Sequence, residues 1–320
     1  MFERILTLAL NPSLDTTIWV DNLQLGGVHK AEDEMYDAAG KTVNVSRVLT
    51  YYGVSNQLIL LLGEGNKRRF LERLNEGKVD YLPILVEGYT RENLSFVDDH
   101  GRMTRVMRKG FHVAYEDFVQ VTQAVEERVD DKTLVMISGS LPTGITPRML
   151  RTFCERVKKK GGTISLDCVD LSREDVTTIA PWVIKPNLEE FQALIGQEVT
   201  SRDQLVDQAS RLVEDGVGCC LVSLGAEGLL CVDKEHVLLA HVPAVEVHSA
   251  VGAGASLLAG FVRSVKSGLD LKKSVATAAA FGTAACMTEG TSPPHKLTVA
   301  HVLQQVELQE LPRQPLEENK

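Results

Sequence analysis

The stretch from residue 243 to residue 262 has the residue types of an anion site. An extended run that ends near Val247 is followed by a Gly-Ala-Gly turn at 252–254 and by apolar residues at helical spacing. Glycines at such a turn let backbone N–H groups converge at the positive end of a helix dipole, where a phosphate can bind. Because position 257 is Leu, the stretch is not a Gly-x-Gly-x-x-Gly dinucleotide motif. A plain strand-to-helix turn stays open on this stretch alone.

A second candidate segment, residues 38–49, opens an amphipathic helix with Gly40, Lys41 and, one turn on, Asn44. Its Gly-Lys-Thr is not a phosphate-binding P-loop, because the first glycine of that motif would fall on Met35. A lysine at the positive end of a helix is unfavourable unless an anionic group lies there. The segment therefore predicts a lysine that contacts an anionic ligand.

Apolar runs of strand length alternate with segments of helical period, which is typical of a parallel sheet with helices on both faces. The predicted strands are 5–10, 57–63, 133–137, 163–166, 182–184 and 219–222, and the predicted helices are 67–75, 115–129, 146–160, 188–196, 201–215 and 271–289. Polar residues follow several strands, among them Asp15 after the first and Asp167 after 163–166. Side chains at strand ends line the ligand crevice of such sheets, although a lone Asp after a strand, such as Asp15, is more often a turn or cap residue.

Four segments are short, more polar and extended: 14–20, 31–37, 91–97 and 102–108. They predict a small second sheet that projects from the main one as a lid. Its arms carry a basic cluster of Arg91, Arg102, Arg105, Arg108 and Lys109. In a chain with a net charge of −9, this cluster suits an anionic small ligand. Solvated edge residues that protect exposed strands are an equally good explanation of each one.

The composition excludes several classes of function. A net charge of −9 with no basic stripe argues against nucleic-acid binding. No apolar run approaches the roughly 20 residues of a membrane helix, and the first ten residues are unlike a signal peptide. None of the six cysteines forms a C-x-x-C pair, which indicates reduced core thiols. We expect a cytoplasmic chain with one α/β domain over residues 1–308 and a mobile polar tail over 309–320.

Taken in chain order, these motifs resemble the ribokinase-like, or PfkB, family of carbohydrate kinases over roughly residues 1–305. The most specific pieces are Ile-Lys-Pro-Asn-Leu-Glu-Glu at 184–190, Ser-Leu-Gly-Ala-Glu-Gly at 223–228 and Val-Gly-Ala-Gly-Ala-Ser at 251–256. Within the family, the segments at 10–15, 40–44 and 138–142 resemble the hexose-phosphate branch. That branch holds 1-phosphofructokinase and tagatose-6-phosphate kinase.

The resemblance implies a ribokinase-like fold and ATP-dependent phosphoryl transfer to a ketohexose phosphate, fructose 1-phosphate or tagatose 6-phosphate, giving a bisphosphate. The implied sugar-binding residues are Asp15, Gly40, Lys41, Asn44, Arg91 and Ser138, with Arg91 and Lys41 on the existing phosphate. The implied nucleotide-binding residues are Lys185, Asn187, Ser223, Gly225, Glu227, Gly228, Gly254 and Gly282. Asn187 and Glu190 would organise Mg²⁺ through its waters, and the amides of Gly252, Ala253, Gly254 and Ala255 would form the anion hole. The sequence leaves open a monovalent cation near the 246–252 loop and a homodimer paired through the lid edges.

One departure from the family concerns the turn, which in the family reads Gly-Ala-Gly-Asp. The family's Asp takes the proton of the attacking hydroxyl, and here that position is Ala255. A methyl group accepts no proton, and general-base catalysis is worth roughly 10²–10⁴ in rate. An engineered change, a natural loss and a base from elsewhere stay open, but His248 and Glu246 precede the turn and are not expected to serve. The alternative function is a non-catalytic sugar-phosphate or nucleotide sensor with a kinase fold.

A second departure is Thr42, which stands where the family has the last glycine of Gly-Gly-Lys-Gly. A threonine at this position predicts a narrower space next to the sugar.

Overall fold

Strands and helices alternate along residues 2–313, the part of the chain that the computed structural model describes. The strands are β1 (Arg4–Ala9), β2 (Ser13–Trp19), β3 (Asp33–Ala39), β4 (Gln57–Gly63), β5 (Tyr81–Val86), β6 (Arg91–Val97), β7 (Met103–Val106), β8 (Thr133–Gly139), β9 (Thr163–Cys168), β10 (Val183–Ile184), β11 (Cys219–Ser223), β12 (Leu229–Asp233), β13 (Val237–His241) and β14 (Glu307–Glu310). The helices are α1 (Lys41–Tyr51), α2 (Lys67–Glu76), α3 (Tyr115–Glu126), α4 (Pro147–Lys159), α5 (Arg173–Ile179), α6 (Leu188–Ile195), α7 (Arg202–Glu214), α8 (Ala253–Lys266), α9 (Leu271–Cys286) and α10 (Lys296–Leu303). Within these residues no helix combines the length and apolarity needed to cross a membrane.

A ten-stranded sheet forms the centre of the molecule, in the order β14-β13-β12-β11-β10-β9-β8-β1-β4-β5. The strands from β11 to β5 pair in parallel, and β12, β13 and β14 extend the sheet in antiparallel pairs. Parallel neighbours need crossover connections, which the helices supply. Since the carboxyl ends of parallel strands meet at one edge, the segments after β1, β8, β9 and β10 come together there. The predicted mostly parallel sheet is confirmed.

Both faces of this sheet are buried. In β1, Leu6 and Leu8 pack in one apolar cluster with Phe153 of α4, whereas Ile5 packs in a second cluster with Phe261 of α8. Because neighbouring strand residues point to opposite faces, both kinds of position must be apolar. This explains why the central strands read in the sequence as continuous apolar runs.

A separate four-stranded sheet contains the four predicted polar segments, in the order β3-β2-β6-β7. The entry to β6 is fixed to the end of β4 by Thr90. The Thr90 hydroxyl accepts a hydrogen bond from the Gly63 N–H at 3.0 Å, and the Asn66 side chain bonds both the N–H and the C=O of Thr90 at 2.9 Å. The small sheet is therefore tied to the carboxyl edge of the large one.

Several predicted boundaries differ by a few residues, and two further predictions need correction. The prediction of an extended run that ends near Val247 is wrong, because β13 ends at His241 and residues 242–252 form no strand. Pro243 has no N–H to continue the ladder, which accounts for the early end. The tail predicted from residue 309 starts too early, since β14 (Glu307–Glu310) pairs with β13. Residues 314–320 of that predicted tail lie outside the described part.

Thr42 does not narrow the site as its sequence position suggested. Its side chain is buried at the start of α1, where the hydroxyl accepts a hydrogen bond from the Ser138 N–H at 3.0 Å. The hydroxyl lies 2.8 Å from the carbonyl oxygen of Ser138 and 3.1 Å from that of Leu8, and it donates to these acceptors. Thr42 thus fixes the start of α1 to the ends of β1 and β8.

We expect Thr42→Val to lower the free energy of unfolding by about 1–3 kcal/mol, because valine keeps the shape but leaves the buried Ser138 N–H without its acceptor. Urea unfolding followed by circular dichroism measures this loss. The matched control is Thr42→Ser, which keeps the hydroxyl and should lose less. Equal stability of the Val variant and the unaltered chain would show that the hydrogen bonds contribute nothing.

Candidate active site

A cavity of about 700 Å³ opens at the carboxyl edge of the parallel strands, with walls from both sheets. It gathers sequence motifs that are far apart in the chain. The predicted site residues on its wall are Asp15, Gly40, Lys41, Asn44, Arg91, Lys185, Asn187, Glu190, Ser223, Gly225, Gly228, Gly252, Ala253, Gly254, Ala255 and Gly282.

Two predicted site residues lie elsewhere. Ser138 still belongs to β8, and its neighbours Gly139 and Ser140 contribute to the wall instead. The carboxylate of Glu227 is exposed and lies 3.8 Å from the Arg202 guanidinium, away from the cavity. The strand-end motifs thus lie at the cavity, but the local course of the backbone decides which of their side chains face it.

One group of charge interactions in the cavity surrounds the buried Asp167, at the end of β9. The Nζ of Lys41 lies 3.2 Å from Oδ1 of Asp167 and 2.6 Å from Oε1 of Glu190. The Nζ of Lys185 lies 3.7 Å from the same Asp167 oxygen. The sequence indicated Asp167 only as a strand-end residue, and its pairing with two lysines from other segments carries no local signal. We call these four residues the charge cluster.

The pKa directions in the charge cluster follow from burial and pairing. Burial by itself lowers the pKa of Lys41, but the charges of Asp167 and Glu190 outweigh it and the pKa is raised. Burial by itself raises the pKa of Glu190, but the hydrogen bond and charge of Lys41, together with the Asn187 N–H and the charge of Lys185, outweigh it and the pKa is lowered. For Asp167, burial raises the pKa, and the two ammonium groups only partly offset it. Lys41 and Glu190 are therefore held as an ion pair.

Glu190 also belongs to a capping box at the start of α6. The side-chain oxygen of Asn187 accepts from the Glu190 N–H at 2.7 Å, and Oε2 of Glu190 accepts from the Asn187 N–H at 3.0 Å. A capping box satisfies two helix-end donors at once. It also leaves Oε1 of Glu190 directed at Lys41, so the Asn-Leu-Glu-Glu motif has a structural role besides any role in binding.

The charge cluster also fits a divalent ion. Oδ2 of Asp167 is buried and has no hydrogen-bond partner within residues 2–313. Carboxylate oxygens are preferred ligands of Mg²⁺, which takes one or two of them and completes its shell with phosphates and water. No group of three or more acidic, cysteine or histidine side chains suited to a metal is found in the described chain. The residues present thus suit a metal that arrives with a phosphate ligand.

On the small-sheet side, the carboxylate of Asp15 is held by several donors. Ser13 Oγ and Asn93 Nδ2 each donate to Oδ1 at 2.8 Å, and the Arg105 guanidinium binds Oδ2. The Arg91 guanidinium donates to the Asn11 carbonyl oxygen at 3.0 Å. Burial lowers the pKa of Arg91, and Asp15 partly opposes this. These groups present charges and hydrogen-bond donors toward one wall of the cavity.

Only part of the predicted basic cluster faces this wall. Arg91 and Arg105 line the cavity, whereas Arg102 and Arg108 pair with acidic residues of the small sheet outside it. Lys109 is likewise not part of the wall. Arg105 lies within β7, whereas Arg102, Arg108 and Lys109 lie just outside that strand.

The turn before α8 has the geometry that its sequence indicated. Gly252 is the N-cap, with a left-handed φ of 87° that favours glycine, and α8 begins at Ala253. A Cβ atom on Gly254 would lie 3.1 Å from the Nζ of Lys185, so the ammonium sits directly beside the turn. The first turn of α8 carries no acidic residue. The N–H groups at the start of α8 and the ammonium group of Lys185 together make this part of the wall positive.

Position 255 offers no base, and neither do the residues before the turn. The methyl group of Ala255 lies on the cavity wall, but the exposed side chains of Glu246 and His248 do not. That neither of these two residues replaces the missing carboxylate stays a prediction.

The remaining wall is formed mainly by small and apolar residues. Leu257 of α8 and Ala279, Gly282 and Thr283 of α9 lie on it with Val242. Ser223, Gly225 and Gly228 border the same region. A wall of small and apolar side chains suits the binding of a planar ring. Val242 and Thr283 were not predicted as site residues, because nothing in their local sequence pattern distinguishes them from core residues.

Comparison with known proteins gives one family. The family model described as pfkB family carbohydrate kinase matches residues 9–297. A curated 1-phosphofructokinase of Rhodobacter capsulatus is 30% identical over 98% of this chain and 99% of its own length. That of Escherichia coli K12 is 30% identical over 82% of this chain and 84% of its own length.

The structural comparison agrees. Phosphofructokinase-2 of Escherichia coli, solved with substrates and products, has a TM-score of 0.88 at 26% identity and covers 94% of this chain and 99% of its own. A structure of the same enzyme in complex with potassium has the same TM-score of 0.88. The ribokinase-like fold expected from the resemblance is confirmed. The chain belongs to the pfkB family of carbohydrate kinases.

Proposed function

We propose that the chain catalyses ATP-dependent phosphoryl transfer to a ketohexose phosphate, with fructose 1-phosphate as the first candidate acceptor and a bisphosphate as product. The observation that carries the proposal is the placement of positive charge on two walls of one cavity. Lys185 and the start of α8 lie on one wall, and Arg91 and Arg105 on another. Two separate cationic surfaces suit a reaction in which one phosphate is transferred and another is already present on the acceptor.

We assign the following roles to the residues of the cavity. The N–H groups at the start of α8 and Lys185 stabilise the charge of the transferred phosphoryl group. Asp15, Asn44 and Asn93 orient the sugar hydroxyls. Asp167 and Glu190 would hold the Mg²⁺ that accompanies ATP, and the ion would supply neutralisation of charge on the phosphates. Phosphoryl transfer depends on such positioning and charge stabilisation more than on covalent chemistry.

In the proposed reaction, the lack of a carboxylate at Ala255 limits the rate of phosphoryl transfer. Without a carboxylate in the first turn of α8, the acceptor hydroxyl loses its proton without help from a side chain at that position. We propose that binding is retained while turnover is impaired. The same observation favours the second candidate function, a sugar-phosphate or nucleotide sensor with a kinase fold.

Several further predictions accompany the proposal. Tagatose 6-phosphate stays an alternative acceptor. A monovalent cation near residues 246–252 is supported by the potassium complex of the Escherichia coli relative. Closure of the small sheet as a lid, pairing of its edges in a homodimer and a cytoplasmic location remain predictions from the sequence, as does the lack of nucleic-acid and membrane partners.

We expect Ala255→Asp to raise the rate of ADP formation from Mg-ATP and fructose 1-phosphate by about 10²–10⁴, because a carboxylate there can accept the hydroxyl proton. A coupled ADP assay with fructose 1-phosphate, fructose 6-phosphate and tagatose 6-phosphate measures the change.

The control is Ala255→Asn, which has the shape of aspartate but no proton acceptor and should not gain activity. Equal rates for the unaltered chain and Ala255→Asp would mean that another base operates. If neither chain forms ADP although both bind fructose 1-phosphate, the sensor function is supported instead.

We expect Arg105→Gln to weaken fructose 1-phosphate binding by about 10-fold or more, which corresponds to one charge-assisted hydrogen bond. Isothermal titration calorimetry without nucleotide measures the dissociation constant. Arg108→Gln is the matched control, since Arg108 pairs with Glu92 outside the cavity and its loss should leave binding unchanged. Equal weakening by both variants would point to a general effect of net charge.

A further inference from the structure

We infer that the ammonium group of Lys41 occupies the position of a divalent cation, and that a metal ion displaces it and frees it to bind the anionic sugar. Divalent metal and sugar phosphate would then strengthen each other's binding. This inference rests on the proposed function, because it takes a sugar phosphate as the ligand. It adds a regulatory link between the two sides of the cavity.

The contacts of Lys41 are those of a cation held between two carboxylates. Its Nζ lies 2.6 Å from Oε1 of Glu190 and 3.2 Å from Oδ1 of Asp167. The second oxygen of Glu190 is taken by the Asn187 N–H, and the second oxygen of Asp167 is buried without a partner in the described residues. Oδ2 of Asp167 is therefore available to a metal, but both oxygens of Glu190 are engaged, so a metal that also uses Glu190 competes with Lys41 for Oε1.

Lys41 is the lysine of the cluster that can leave. Its side chain is 34% exposed, whereas that of Lys185 is 3% exposed. The backbone at the start of α1 is fixed by Thr42, so the motion is confined to the side chain. Lysine suits such a motion because its charge sits on a flexible four-carbon stem.

The consequence concerns charge. While Lys41 is paired with two carboxylates, it adds little net positive potential to the cavity. Once a divalent ion neutralises Asp167 and Glu190, the released ammonium is an unpaired cation on the wall, and an anionic ligand gains a partner. Equilibrium coupling of two ligands is reciprocal, so the sugar phosphate must strengthen metal binding by the same factor.

The test is calorimetric titration of the full chain with fructose 1-phosphate, with and without MgCl₂, at matched ionic strength and without nucleotide. We expect Mg²⁺ to tighten fructose 1-phosphate binding by about 5-fold or more. The reverse titration, Mg²⁺ with and without fructose 1-phosphate, should give the same factor.

Two variants distinguish displacement of Lys41 by a metal ion from a merely structural role of Lys41 and Glu190. Lys41→Met should abolish the coupling and tighten Mg²⁺ binding, since the competing cation is gone. Glu190→Gln should act in the opposite sense on the sugar, tightening metal-free binding of fructose 1-phosphate because Lys41 is held less firmly. A structural role would weaken binding in both variants.

The matched control is Lys132→Met. The Nζ of Lys132 also lies 2.6 Å from a carboxylate oxygen, that of Glu3, but this pair is at the surface and not on the cavity wall. Its loss should leave the coupling unchanged.

The inference is overturned if the unaltered chain binds fructose 1-phosphate equally well with and without Mg²⁺, or if Lys41→Met keeps the coupling. The first of these results leaves the proposed function intact, because the sugar phosphate still binds. If fructose 1-phosphate binds in neither condition, the proposed function fails and the coupling fails with it.

Discussion

The burial of one carboxylate, that of Asp167, is the constraint on which the cavity depends. An unpaired buried charge is strongly unfavourable, and removal of one partner from a buried ion pair costs about 3–5 kcal/mol. Asp167 at the end of β9 is compensated by Lys41 at the start of α1 and by Lys185 just after β10. Lys41 in turn engages Glu190 of α6. The charge cluster therefore fixes four segments relative to one another.

The turn at the start of α8 separates two tasks that a phosphoryl-transfer site must perform. In the proposed function, its backbone groups and Lys185 stabilise negative charge whichever side chain follows Gly254. In the same proposal, removal of a proton depends instead on one side chain, which Ala255 does not supply. A site built mainly from backbone can thus keep its ligand affinity while a single residue decides the rate.

The sequence predicted most of the fold and the outline of the site, because both depend on local patterns. Buried parallel strands read as apolar runs, and polar residues such as Asp167 and Lys185 mark their ends. The partners of these residues could not be predicted, since the contacts of Lys41 with Asp167 and Glu190 join segments far apart in the chain. The selection of Arg105 over its basic neighbours depends on strand register, and the orientation of Thr42 depends on where α1 begins. These features depend on the tertiary structure and cannot be predicted from the local sequence.

The two outer strands of the ten-stranded sheet carry features that oppose further pairing. Strand β5 contains Pro83, which has no N–H to offer a neighbour, and β14 carries the charges of Glu307 and Glu310. In the small sheet, by contrast, every residue of the outer strand β7 is exposed, and Met103 and Val106 are apolar. Unwanted aggregation by strand addition is thus discouraged along the large sheet. The β7 edge of the small sheet lacks this protection, because it carries no proline and one charged residue, Arg105.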